Sequence, residues 1–191
     1  MDYNIVVKLI FHYGLLAILV NRLDKFLRTK AHTKPSWDLI HSITPLNWGD
    51  YYLVPDYFLI INTLLFIPEL KYFDQYMLED VGNVFISLHW IRFFAVFLTA
   101  MPSPTPLGSR HVGFSTTDHD LILSGHNIQS LMTTLIIGQV SSSNWIIFFS
   151  WICAIGNMLG AILTRHHYTI DVYLTVIIVY LTYNQYLVPI D

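Results

Sequence analysis

The sequence predicts an all-α integral membrane protein, a bundle of about six transmembrane helices, and three features support this fold class. Of the 191 residues, 54% are hydrophobic, 15% are aromatic and only 12% are charged, whereas about a quarter of the residues of a soluble domain are charged. The apolar residues gather in stretches close to the ~20 residues that cross a bilayer. Polar segments separate these stretches. We therefore treat residues 1–191 as one polytopic membrane domain.

Six apolar stretches are candidate spans. They lie at about residues 4–20, 52–70, 84–101, 121–140, 143–163 and 170–188. The first has no small-residue cleavage site after a short apolar core, so we expect a retained helix. The second contains Pro55, Asp56 and Pro68, and we expect it to be tilted or partly interfacial. Polar residues at about 21–50 and 102–120 form the two long loops, and three prolines in the second loop end any helix there.

Composition also excludes several classes of function. A net charge of -3 with ten Lys and Arg residues gives no basic surface for nucleic acid. The single Cys153 can form no intrachain disulfide and is expected to fill the core. The sequence has no group of carboxylates and histidines with metal-ligand spacing. We expect no metal and no cofactor.

Alternation of the spans brings two polar motifs to one membrane surface. Ser124-Gly125-His126 opens the fourth span, and the segment from Arg165 to Asp171 connects the fifth span to the sixth. Loops that follow the first, third and fifth spans face the same side. The two motifs therefore converge by topology alone.

The residue types in these motifs fit phosphoryl transfer. His167 and Asp171 are four residues apart, so on a helix they share a face and the carboxylate can fix the tautomer of the ring. The free ring nitrogen of His167 is then able to attack phosphorus. His126 can protonate the leaving alkoxide and later deprotonate an incoming hydroxyl.

The residues around the histidines can hold a phosphate. Ser124 and Gly125 stand where a helix begins, and the free amides of a helix N-terminus favour an anion. A glycine there permits close approach. Arg165 and Arg110 can neutralise the phosphate oxygens.

These motifs resemble the type 2 phosphatidic acid phosphatase (PAP2) superfamily, and more closely its sphingomyelin synthase branch. Ser-Gly-His followed by His-x-x-x-Asp is the specific part of the resemblance, and counterparts of the four motif blocks of the branch occur in order. They lie at residues 54–56, 92–104, 120–126 and 167–172. The resemblance implies a catalytic core at about residues 52–188. It also implies a catalytic triad of His126, His167 and Asp171, with His167 as the nucleophile.

The same resemblance and the phosphate argument together give the predicted substrate-binding set. Its members are Asp56, Arg92, Arg110, Asp120, Ser124, Gly125, Arg165 and Tyr168. The chain departs from the family pattern at Asp118-His119-Asp120 and at Asn127, where we expect headgroup and acceptor choice to be decided. For His12, His41 and His89 a structural role is expected. For Asp56 a helix-start cap and a site residue are both open, and His166 is either a headgroup contact or a surface residue.

The expected function is transfer of a phospho-headgroup, phosphocholine or a related phosphoalcohol, from a glycerophospholipid to ceramide or diacylglycerol. The transferase passes through a phosphohistidine and acts in sphingolipid metabolism. Its partners are membrane lipids, and self-association into a homo-oligomer is left open. We expect a multi-pass protein of the endomembranes (Golgi or endoplasmic reticulum) or the plasma membrane.

Three alternatives stay open. A PAP2-type lipid phosphatase or phospholipase C-like hydrolase would use water in place of the lipid hydroxyl. A transporter, channel or scramblase would use the histidines as proton relays or structural groups. A catalytically silent assembly partner would use no chemistry. Orientation is also open: the basic residues 22–34 place the motif loops in the cytosol by the positive-inside rule, and the family resemblance implies the lumen or exterior.

Overall fold

The structure is a computed structural model that describes residues 3–27, 38–44, 51, 53–99, 123–165 and 167–187. Most of the described residues are helical, and none of them lies in a strand. Their α-helices are α1 (Tyr3–Leu27), α2 (Leu39–Ile43), α3 (Val54–Phe66), α4 (Gln75–Thr99), α5 (Gly125–Val140), α6 (Asn144–Leu163) and α7 (Thr169–Tyr186). A 3-10 helix, Ile67–Tyr72, follows α3.

The predicted spans correspond to α1 and to α3 through α7, and the largest error concerns α4. This helix begins at Gln75, not near residue 84, because Asp74 caps it by accepting a 2.7 Å hydrogen bond from the amide of Met77. Hydrophobicity could not show this start, since the charged residues Glu79 and Asp80 lie in the second turn of the helix. The second span was predicted over residues 52–70, but its α-helix covers only Val54–Phe66, and a 3-10 helix with Pro68 continues it.

Contacts between helices give the direction of each one. Lys8 of α1 bonds Asn83 of α4, and His12 of α1 bonds Trp90 of α4, so the contacts follow the same order along both helices. These two helices therefore run parallel. Asp56 and Asn62 of α3 meet His126 and Ser130 of α5, again in parallel.

The remaining helices complete an alternating arrangement. Pro55 O accepts from Asn157, while Asn62 bonds Ser150, so α6 runs antiparallel to α3. Gln139 of α5 bonds the carbonyl of Leu187 beyond α7, so the C-terminal ends of α5 and α7 lie together. The N-termini of α3, α5 and α7 thus share one end of the bundle with the C-termini of α1, α4 and α6. We call this the motif end.

Helix α5 lies at the centre and contacts α3, α4, α6 and α7. One of its faces joins an apolar core with α4 and α7, formed by Val84, Leu88, Ile128, Met132, Ile136 and Val179. Another face is polar. There the side-chain amide of Asn62 donates to the hydroxyls of Ser130 and Thr134. The hydroxyl of Ser150 contacts Oδ1 of Asn62 and the hydroxyl of Thr134. These bonds satisfy polar groups that would otherwise be costly to bury.

Two helices are long and apolar enough to cross a bilayer, Gln75–Thr99 and Asn144–Leu163, among the residues that the structure describes. A shorter apolar segment, Val6–Val20, lies within α1. Together with the apolar composition of the chain, these helices are consistent with a membrane protein. A bundle of six crossings stays a prediction, because α3 has 13 residues and α5 has 16, about 20 and 24 Å at ~1.5 Å per residue.

Candidate active site

The first motif is formed by the start of α5. Ser124 is the N-cap, and its Oγ accepts a 3.3 Å hydrogen bond from the amide of Asn127. This cap starts the helix at Gly125, as the sequence indicated. Leu123, just before the cap, is buried and has a φ of 63°, a left-handed conformation that is rare for a branched side chain.

Arg92 stabilises this unusual entry into α5. Its Nε donates a 2.9 Å hydrogen bond to the carbonyl of Leu123. A Cβ added to Gly125 would lie 3.2 Å from Cζ of Arg92, so a larger residue at Gly125 would press on the guanidinium. Close approach of Arg92 explains the glycine, and it places a cation beside the first turn of α5.

His126 faces Asp56 across the α3–α5 interface. The distance from His126 Nε2 to Asp56 Oδ1 is 2.8 Å, and the two side chains are 37% and 41% exposed. Of the two roles open for Asp56, site residue and helix-start cap, the structure places it beside the histidine, in the first turn of α3. Nε2 of His126 therefore faces the carboxylate, and Nδ1 is its other ring nitrogen.

His167 faces Asp171, with His167 Nδ1 3.7 Å from Asp171 Oδ2. The expected helical i to i+4 pairing is wrong in one respect: α7 begins at Thr169, so His167 precedes the helix. The pair forms because Asp171 folds back and accepts a 2.9 Å hydrogen bond from the amide of Tyr168. The carboxylate therefore caps α7 and faces Nδ1 of the His167 ring at once.

The connector before His167 is also held in a fixed shape. Arg165 has a φ of 57°, and the amide of His167 donates a 3.1 Å hydrogen bond to the carbonyl of Ala161. A left-handed residue thus turns the chain sharply at the end of α6. Such conformations cost about 1–3 kcal/mol and cluster at functional sites.

The structure brings the described site residues to the motif end. A Cβ on Gly160 would lie 3.3 Å from Cγ of Pro55. The end of α6 therefore packs against the start of α3, beside the Asp56–His126 pair. The side chain of Ser124 serves the cap, and Tyr168 is buried, with its ring 6.3 Å from that of His41. Arg110, Asp120 and His166 lie outside the described residues, as do Asp118 and His119.

Asn127, one of the flanking departures, lies on a face of α5 turned toward α3 and α6. Ser130 and Thr134 follow it at helical spacing, and both bond the Asn62 network described above. The side-chain amide of Asn127 is buried, and neither of its polar atoms has a hydrogen-bond partner among the residues that the structure describes. A direct role in headgroup choice stays a prediction.

The sequence missed Asp38, whereas the structural role expected for His41 agrees with the 3.0 Å contact of its Nε2 with the carbonyl of Ile162. Asp38 caps α2, accepting from the amide of His41 at 3.0 Å, and it also accepts from Thr169 N at 2.6 Å and Thr169 Oγ1 at 2.8 Å. Burial raises the pKa of Asp38, but the bonds from His41 and Thr169 outweigh burial and hold the pKa below its usual value. The pattern Asp38-x-x-His41 could have indicated a helix cap. Its partner 131 residues away could not be read locally.

No group of three His, Cys, Asp or Glu side chains that could hold a metal occurs within the ranges that the structure describes. The site instead offers two histidine–carboxylate pairs beside the N-termini of α5 and α7. The first two amides of α5, those of Gly125 and His126, have no partner within a helix and suit an anion.

Part of the chain matches a known protein family. Residues 119–188 match the family model described as PAP2 superfamily C-terminal. This segment contains both histidine motifs, and the similarity supports the superfamily, whose members are phosphatases and phosphotransferases. It does not support the sphingomyelin synthase branch over other branches. A search of curated proteins finds no match to the chain.

Proposed function

We propose that this protein transfers the phospho-headgroup of a glycerophospholipid to the primary hydroxyl of a second lipid, ceramide or diacylglycerol, through a phosphohistidine. The observation that carries the proposal is the presence of two histidine–carboxylate pairs at one end of the bundle. One pair is buried and the other is accessible to solvent. Double displacement needs a nucleophile and a separate proton carrier.

In the first step Nε2 of His167 attacks phosphorus. A bond forms between nitrogen and phosphorus, and the bond from phosphorus to the diacylglycerol oxygen breaks. Asp171 fixes the proton on Nδ1 of His167 and balances the charge that develops on the ring. His126, as the imidazolium held by Asp56, gives its Nδ1 proton to the departing oxygen.

In the second step His126 takes the proton of the acceptor hydroxyl, and the resulting oxygen attacks the phosphohistidine. The nitrogen–phosphorus bond breaks, and His167 is regenerated. Arg92 and the first amides of α5 stabilise charge on the phosphoryl oxygens. Arg165, next to the nucleophile segment, supplies a second cation.

Hydrolysis is the second candidate, and one observation favours it. The side chains of His126 and Asp56 are more than a third exposed, so water can reach the proton carrier. Water then replaces the acceptor lipid in the second step and releases a phosphorylated headgroup. The superfamily match is compatible with either outcome.

The test uses purified protein in liposomes. Labelled ceramide or labelled diacylglycerol is offered as acceptor, with phosphatidylcholine, phosphatidylethanolamine or phosphatidylinositol as donor. A labelled phospholipid product supports transfer. A water-soluble phosphorylated headgroup, with no labelled phospholipid, supports hydrolysis.

Replacement of the proposed nucleophile, His167→Ala, should abolish both products while the protein stays in the membrane. Turnover that survives in His167→Ala contradicts the nucleophile assignment. No turnover by the unmodified protein moves the assignment to a transporter or a silent partner.

A further inference from the structure

The short helix α2 contacts the segment that carries His167 at both of its ends. Asp38, which caps α2, accepts two hydrogen bonds from Thr169, the first residue of α7. Nε2 of His41 donates a 3.0 Å hydrogen bond to the carbonyl of Ile162, near the end of α6. These bonds hold the connector from Ile162 to Thr169, which contains Arg165 and His167. We call this set of contacts the α2 clamp.

The contact of Asp38 lies directly beside the contact of Asp171. The amide of Tyr168 donates to Asp171, and the next amide, that of Thr169, donates to Asp38. Two carboxylates thus cap the same first turn of α7 from different parts of the chain. Both are buried, Asp171 fully and Asp38 with 8% exposed.

Because Asp171 also orients His167, the geometry of the first turn sets the geometry of the histidine. If Thr169 shifts, the amide of Tyr168 shifts with it, and Asp171 loses the bond that aims its carboxylate. His167 precedes the helix, and its amide bonds the carbonyl of Ala161 at the end of α6. The connector and Asp171 both contribute to its position.

We propose that Asp38 is a positioning residue, which acts through Thr169 and the first turn of α7 to align Asp171 and His167 for attack. The inference rests on the proposed function. A displacement of about 1 Å at a reacting group can cost roughly 100-fold in rate. The clamp joins residues 38–41 to chemistry located in the C-terminal part of the chain.

The experiment separates the rate of the chemical step from the fraction of folded protein. Protein in liposomes is mixed with donor lipid labelled in its phosphate, and the phosphoenzyme is followed in a single turnover. Amplitude reports the fraction of competent molecules, and the rate constant reports alignment. We expect Asp38→Ala to lower the rate roughly 10–100-fold at unchanged amplitude, with the KM for donor changed less than about threefold.

Matched variants sharpen the result. Asp38→Asn keeps one acceptor oxygen and should lose less than Asp38→Ala, and Thr169→Val removes the hydroxyl bond but keeps the amide bond. Ser42→Ala is the control, because the Ser42 hydroxyl donates its hydrogen bond to Leu39 O within α2. The rate of Ser42→Ala should equal that of the unmodified protein.

Two outcomes would overturn the inference. A rate in Asp38→Ala equal to that of the unmodified protein would do so, and so would a lower amplitude with an unchanged rate, since that result shows only a folding role. Hydrogen exchange at the Thr169 amide gives a readout that is independent of turnover. If the unmodified protein forms no phosphoenzyme, the proposed function fails, and unchanged exchange at Thr169 in Asp38→Ala would still reject the clamp.

Discussion

His126 and His167 each face a carboxylate, but the two pairs lie in different surroundings. The His167 and Asp171 side chains are 11% and 0% exposed, against 37% and 41% for His126 and Asp56. A nucleophile benefits from exclusion of water, because water competes for its intermediate. A proton carrier must exchange protons with solvent or with two substrates in turn. Burial therefore matches the two roles that the proposal assigns.

The first residue-scale prediction concerns Asp56. Asp56→Asn should lower lipid turnover by roughly 10²–10⁴-fold, the range of a positioned general acid–base, because the imidazolium of His126 loses its balancing charge. Steady-state assays in liposomes measure this. Asp80→Asn is the control, since Asp80 is exposed near the opposite end of the bundle. Turnover of Asp56→Asn within twofold of the unmodified protein would show that His126 works without Asp56.

A second residue-scale prediction follows from the low pKa of Asp38. Since the folded-state pKa is depressed, the stability that the charged carboxylate contributes is fully present above the unfolded-state pKa of about 4. It is lost as the pH falls through the folded value. The Tm difference between the unmodified protein and Asp38→Asn should be constant from about pH 7 to pH 5 and shrink below about pH 4. A difference that persists undiminished at pH 3 would contradict this.

At the scale of elements, the packing of α3 against α6 places Asp56. Gly156 and Gly160 lie four residues apart on α6 and let α3 approach closely. A Cβ on Gly156 would lie 2.6–2.8 Å from three ring atoms of Phe58. Two residues before Phe58 stands Asp56, so a shift of α3 moves the partner of His126.

We therefore predict that Gly156→Ala lowers both stability and turnover. Overpacking of this kind costs about 1–3 kcal/mol, measured by thermal unfolding in detergent. Gly138→Ala is the matched control: no described atom beyond its own helical turn lies within 4 Å of its Cβ position, and alanine in an open helical position stabilises by up to about 1 kcal/mol relative to glycine. Phe58→Ala combined with Gly156→Ala should recover part of the loss. Equal effects of Gly156→Ala and Gly138→Ala would refute the close contact.

Hydrophobic patterning predicted α5, α6 and α7 to within a few residues. The resemblance pointed to His126, His167 and Asp171, whose catalytic role stays a prediction. Neither the patterning nor the resemblance could predict structure that depends on contacts between residues distant in the sequence. Helix α2 has five residues, too few for a periodic apolar signal in the sequence. Its position is held by hydrogen bonds to Thr169 and Ile162, which are distant in the sequence. The partner of Asp56 likewise became evident only when α3 and α5 were packed.

At the scale of the whole molecule, alternation of helix direction gathers the chemistry at one end. The motif end holds the starts of α3, α5 and α7, and the opposite end holds Ser142 and the start of α4. Several helices are short for a hydrocarbon core of about 30 Å. If α3 and α5 cross it, the flanking 3-10 helix and a locally thinner bilayer must supply the remaining length.

The last prediction tests this arrangement in a sealed membrane. Cys153 is buried and is first replaced by serine, after which single exposed residues are changed to cysteine. Ser42→Cys, at the motif end, should react with an impermeant maleimide from one side only. Ser142→Cys and Tyr76→Cys, at the opposite end, should react only from the other side. Reaction of Ser42→Cys from the same side as Ser142→Cys would contradict an odd number of crossings between them.

The same labelling tests whether α3 crosses the bilayer. Because α3 alone separates Ser42 from Tyr76 among the described α-helices, opposite labelling of that pair would show that this short helix crosses the bilayer with its 3-10 extension. The side on which Ser42→Cys reacts would also decide between the cytosolic face favoured by the basic residues 22–34 and the lumenal or exterior face implied by the family resemblance.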